Sequence, residues 1–189
     1  RIYIDMIPQT VYIQSGLWKL RLIPRSIRNG RYDMWLPAQG ALNFGTGFTS
    51  PDSASTFTIP SAAAKAVTVG AYDAGTGSAA PFSGRGYIVE IGGSLMVKPE
   101  LAAPGVNVLV PSVSGMARVS GTSYATPFVT GSAALLMEWG IVRGNDAFLY
   151  GEKLKAYLIK GAEPLAGAAV PDTQTGWGRL CLKNSLPQA

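Results

Sequence analysis

The sequence predicts an α/β domain preceded by a short antiparallel β segment. Three observations carry this. Residues 1–37 alternate apolar and polar side chains at strand period. Residues 38–60 turn to Gly, Thr, Ser, Pro and Ala, the composition of a linker. From residue 61, small β-branched runs alternate with helical patterns. The expected organisation is therefore 1–37 as β-sandwich, 38–60 as linker and 61–189 as the α/β part.

In the first segment Ile2, Ile4 and Met6 alternate with Tyr3 and Asp5, and Trp18, Leu20 and Leu22 with Lys19 and Arg21. Tyr32, Met34 and Leu36 repeat the pattern. Ser15-Gly16 and Asn29-Gly30 punctuate these runs, and an Asn-Gly pair between alternating runs is a hairpin signal. In the second part, 66–71 reads as a strand buried on both faces, and 106–110 as another apolar strand. Residues 81–86 are turn-like. Ser123 to Trp139 is the strongest helix signal, apolar nearly all round, which predicts a central buried helix. A second helix is expected over 146–160, stopped by Gly161. The tail from Gly176 is expected to hold a short strand and a last helical turn.

Composition narrows the chemistry. Of 189 residues, 47% are hydrophobic and 14% charged, which is core-forming. The net charge of +5 is spread along solvent-facing strand positions, without the clustering and interleaved aromatics of a nucleic-acid surface. No run approaches the ~20 apolar residues of a membrane span. The single cysteine, Cys181, forms no intramolecular disulfide and reads as a small buried side chain. There is no histidine, which removes His-ligated metal sites and any Ser–His or Cys–His pair within the chain. No cofactor or metal is expected.

The segment Gly121-Thr122-Ser123-Tyr124-Ala125-Thr126-Pro127-Phe128-Val129-Thr130-Gly131 carries the chemistry. A glycine precedes a hydroxyl pair, and a helix with proline in its first turn follows. Such a serine sits at the positive end of the helix dipole among free N–H groups. An ordinary N-cap serine would do the same, so position alone does not make a nucleophile.

The whole pattern resembles the nucleophile motif of the subtilases, the subtilisin-like serine peptidases. Val67-Thr68-Val69-Gly70-Ala71, Phe82-Ser83-Gly84-Arg85-Gly86, Lys98-Pro99-Glu100-Leu101-Ala102-Ala103-Pro104-Gly105 and Thr175-Gly176-Trp177-Gly178 resemble that family's flanking motifs. Leu136 to Val142, Asn145-Asp146 and Leu149-Tyr150-Gly151 are similar to the clostridial Csp-type members. The resemblance implies the C-terminal half of a doubly wound parallel sheet, with residues 1–37 as the end of a jelly-roll insert. It implies a serine endopeptidase acting on a protein or peptide substrate, and an extracellular or spore-associated setting. Ser123 would be the nucleophile and a backbone oxyanion donor, with Thr122 adding a hydroxyl near the oxyanion.

In subtilisin-like enzymes the triad runs Asp, His, Ser along the chain. With no histidine present, the base must lie outside these residues. Asp5, Asp33, Asp52 and Asp73 match no family motif and read as solvated turn or strand-face residues. Asn43 and Asn107 do not match the family's oxyanion asparagine. The chain alone is thus expected to be inactive, a fragment whose missing N-terminal half or propeptide, or a second copy, covers its open edge and apolar helix faces. The alternative is a non-catalytic binding or sensor module of the same family.

Overall fold

The computed structural model describes residues 2–8, 10–30, 32–37 and 41–187. It divides into two units, Arg1–Ala38 and Gln39–Ala189. In the first, the expected antiparallel strands do not form among the described residues. The turn at Ser15-Gly16 is present: Gly16 has φ 137°, and the Trp18 indole N–H donates to the Gln14 carbonyl at 3.0 Å. The apolar side chains of this unit are exposed. An alternating strand is stable when partner strands take its backbone hydrogen bonds and a second layer covers its apolar face, and no described residue of this unit supplies either.

The second unit is mixed α/β. Strand β1 (Val69–Asp73) lies between β2 (Ser78–Ala79, antiparallel) and β5 (Leu101–Pro104, parallel). On the far side of β5, Leu180 N–H donates to Ala102 O and Ala102 N–H to Gly178 O, so the tail extends the sheet as expected. Two hairpins stand apart: β3 (Tyr87–Ile91) with β4 (Ser94–Lys98), and β6 (Val108–Ser112) with β7 (Gly115–Val119). Neither was among the expected elements as a pair, although Gly92-Gly93, both at positive φ, is a hairpin signal.

Helix α1 (Thr122–Met137) packs on β1 and β5 and runs into a π-helical turn, Glu138–Val142. It is not buried all round. Ala125, Val129, Ser132 and Leu136 form one buried stripe at helical spacing, while Phe128 and Leu135 remain 43% and 54% exposed. The sheet covers one side only. By length and hydropathy Thr122–Val142 could also cross a membrane, contrary to the expectation that no run approaches a span; its buried stripe packs as a core helix does.

Helix α2 (Gly151–Gly161) starts later than its apolar pattern suggests. Asp146 Oδ1 accepts the Phe148 N–H, Leu149 N–H donates to Asp146 O, and Gly151 has φ 56°, so residues 146–150 form turns instead. Gly161 does end the helix, but its role is close approach: a Cβ there would lie 2.2 Å from Ser185 Oγ on α3 (Leu182–Ser185).

Between the turn ending at Lys65 and β1, residues 66–68 are held by charge. Lys98 Nζ meets Glu100 Oε1 at 2.7 Å, the Ala66 carbonyl at 2.7 Å and Thr68 Oγ1 at 3.2 Å. Glu100 Oε2 accepts the Thr68 N–H at 2.7 Å. Lys98 is 0% exposed and Glu100 2%. Removing one member of such a buried pair leaves a desolvated charge behind. Glu100→Ala is expected to lower unfolding free energy by about 3–5 kcal/mol in urea titration.

Acid should loosen the periphery first. Lys153 holds the Asp146 carboxyl below its ordinary value, and Arg179 does the same for Glu163. Groups with depressed folded values add stability above their unfolded values, and lose it as pH falls through the folded ones. The thermal midpoint should therefore drop as pH falls below about 4.5, and Asp146→Asn with Glu163→Gln should flatten that drop.

Candidate active site

The start of α1 is set by two glycines. Gly121 precedes the helix at φ 155° and ψ 156°, a region open essentially to glycine alone. Its N–H donates to Gly105 O, and Gly105 N–H to Tyr72 O. A Cβ on Gly105 would lie 2.6 Å from the Ala71 Cβ and 3.1 Å from Gly121 O. Only glycine lets the helix start sit this close to the sheet.

Ser123 is the second residue of α1 and is exposed. Its backbone N–H precedes the first intrahelical acceptor and donates to no described group, whereas the Tyr124 and Ala125 N–H groups both reach Gly121 O. Ser123 lines a cleft of about 290 Å³ together with Thr122, Thr126, Pro60, Ser61 and residues 66–69. Thr122 is half-buried and also borders a neighbouring cleft of about 140 Å³ formed by Thr56, Phe57, Thr58, Ser83 and Gly84 among others. The structure thus brings Ser123 and Thr122 to one cleft. Thr126 donates its hydroxyl to the Thr122 carbonyl at 3.0 Å, which stiffens the first turn.

Within the second unit, Asn43, Asp52, Asp73 and Asn107 do not line this cleft. Asp52 and Asp73 accept the N–H two residues on, from Ala54 and Gly75, as turn residues do. Asn107, at φ 51°, accepts an Arg118 hydrogen bond at its carbonyl and donates its N–H to Ser120 Oγ at the base of β6–β7. Asn43 O accepts the Thr46 N–H in a turn. Cys181 is half-buried, and its carbonyl accepts from Ser185. Among the described residues no group of His, Cys, Asp and Glu could hold a metal ion.

Several residues of the flanking motifs are packing devices. Gly70 faces Gln174 O, Gly86 faces Lys98 O, and Gly176 and Gly178 combine positive φ with close approach to Pro99 O and Glu163 O. Ser83 Oγ accepts the Ala71 N–H at 2.9 Å. The part of the cleft that sequence reasoning missed is its wall at residues 60–68. The 66–71 pattern reads as a strand and does not show that residues 66–68 face Ser123 in a cleft, because charges on distant elements help to hold them there.

The geometry predicts that Gly105→Val displaces the start of α1. Stability should fall by about 2 kcal/mol or more, and the crystal structure of the variant should show Ser123 moved from the cleft.

A model of the subtilase family, Peptidase_S8, matches residues 26–178. The solved structure of the Clostridium perfringens CspB protease is 44% identical with TM-score 0.69, over 77% of this chain and 30% of that one. The self-cleaved protease domain of PatA is 30% identical with TM-score 0.51, over 67% of this chain and 42% of that one. A PII-type proteinase of Lactococcus lactis subsp. cremoris is 38% identical over 67 residues, 35% of this chain and 4% of that protein. This chain therefore spans under half the length of the relatives it matches, and with most of its residues covered by the family model it belongs to the subtilase family, as a subtilisin-like chain of the Csp type.

Proposed function

We propose that the chain carries the nucleophilic half of a serine endopeptidase site. Ser123 is the nucleophile, and its backbone N–H is one of the oxyanion donors. The carrying observation is the placement of that hydroxyl and that free N–H together at the start of α1, facing an open cleft. A helix N-terminus stabilises a developing alkoxide, and an unpartnered N–H can bind the oxyanion of a tetrahedral intermediate. A peptide carbonyl carbon attacked by Ser123 Oγ would place its oxygen toward that N–H. Thr122 supports the same oxyanion on this reading.

The base, the carboxylate that orients it and the side-chain oxyanion donor come from residues outside these 189. A serine hydroxyl without a base is a weak nucleophile. The apolar outer face of α1, with Phe128 and Leu135, is the surface that the segment supplying them would cover. On the same reading residues 1–37 are the end of a β-sandwich insert, whose alternating side chains await partner strands.

Two outcomes test this. The 189-residue chain should not react stoichiometrically with a fluorophosphonate probe; full labelling would refute the need for an outside base. In the longer polypeptide that supplies the base, peptidase activity should appear, and Ser123→Ala should lower it by about 10⁴-fold or more. Retained activity in that variant would place the nucleophile elsewhere.

A further inference from the structure

Lys155 lies on α2, far from the Ser123 motif in sequence, yet its ammonium reaches the wall of the Ser123 cleft. Lys155 Nζ contacts Glu100 Oε1 at 2.5 Å and the Ala64 carbonyl at 2.7 Å, with the Ala66 carbonyl at 3.5 Å. Its side chain is 14% exposed. Ala66, Val67 and Thr68 line the cleft beside Ser123. They precede β1, which begins at Val69; the Glu100 N–H donates to Thr68 O at 3.0 Å, and further contacts that fix this stretch come from side chains. Lys98 and Glu100 hold Ala66 O and the Thr68 N–H from the β4–β5 junction. Lys155 is the member of this cluster that comes from a different element.

We propose that Lys155 is a positioning residue for the cleft: it transmits the placement of α2 to the wall that faces the nucleophile. This rests on Ser123 being the nucleophile. The geometry also separates positioning from folding. Without the Lys155 ammonium, the buried Lys98–Glu100 pair remains intact, and Glu100 keeps a cationic partner. What is lost is the hydrogen bond to Ala64 O and the tie to α2. α2 keeps its own anchor, the Lys153–Asp146 ion pair at 2.6 Å. The wall should loosen while the fold stays.

The test compares Lys155→Met, Lys155→Arg and Ser123→Ala in the polypeptide that supplies the base, on a peptide substrate. Lys155→Met is expected to raise KM about tenfold while kcat changes by less than about threefold, since a displaced wall misplaces substrate more than it alters the reacting groups. Lys155→Arg, which keeps the charge and its donors, should return KM to within about threefold of the parent. In the 189-residue chain, Lys155→Met should speed amide hydrogen exchange at Ala66 and Thr68, whose N–H groups bond to Ala63 O and Glu100 Oε2, and leave the α1 amides unchanged. Should the Met variant not fold, Lys155→Gln is measured against the same criteria. Unchanged KM and unchanged exchange in a folded variant overturn the proposal. So does a loss that follows the melting temperature and is not restored by Arg. Activity that survives in Ser123→Ala overturns the nucleophile assignment instead, and the exchange experiment still decides whether Lys155 holds the wall.

Discussion

Two lysines and one glutamate meet in a nearly dry corner of this protein, and much of the cleft depends on how that corner is satisfied. Withdrawing each ion from water costs several kcal/mol, and mutual attraction offsets it only when the remaining donors and acceptors are also used. Here they are. Lys98 gives its protons to Glu100, Ala66 O and Thr68 Oγ1; Glu100 takes Lys98, Lys155 and the Thr68 N–H. No buried side-chain nitrogen or oxygen among the described residues lacks a partner. The backbone groups that complete the cluster belong to residues 64–68, so satisfying the ions fixes the cleft wall. Glu100 also ties the tail to the sheet, because its carbonyl accepts the Trp177 N–H.

Glycines do the complementary work at the other side of the cleft. Gly105 and Gly121 let α1 begin against β1 and β5 with its first N–H groups unpaired. A methyl group on Gly105 would collide with the Ala71 Cβ, and the φ of 155° at Gly121 suits glycine, so packing and backbone conformation are decided at the same two positions. An exposed serine hydroxyl beside an unpaired N–H is the outcome. The same logic accounts for the glycines and Ser83 of the flanking motifs, which are close-approach positions and a serine bonded to the sheet backbone.

Much of this was legible in the residues. The Ser123 motif and the helix read from Ser123 onward rest on local rules: caps and a first-turn proline. Elements whose character depends on what packs against them were read less well. The α1 sequence is apolar around its circumference, yet only the Ala125–Val129–Ser132–Leu136 stripe is buried, because a single sheet lies against it. The 146–150 stretch has apolar residues at helical spacing, but the Asp146 carboxylate captures the local N–H group and Gly151 turns the backbone. The alternation in 1–37 specifies which faces a strand would present; it cannot supply the neighbouring strands that make one form.

The sequence by itself determined the family and the absence of histidine from these residues, and it singled out Ser123 as the proposed nucleophile, because these are matters of residue identity and short-range spacing. Tertiary structure alone decided the wall of the cleft and the part Lys155 plays in it. The reason is physical: Lys155 and Ala64 are 91 positions apart, and no periodicity or motif links them. They meet only because the fold brings α2 against the buried Glu100 carboxylate, which takes Lys155 as a second cation beside Lys98.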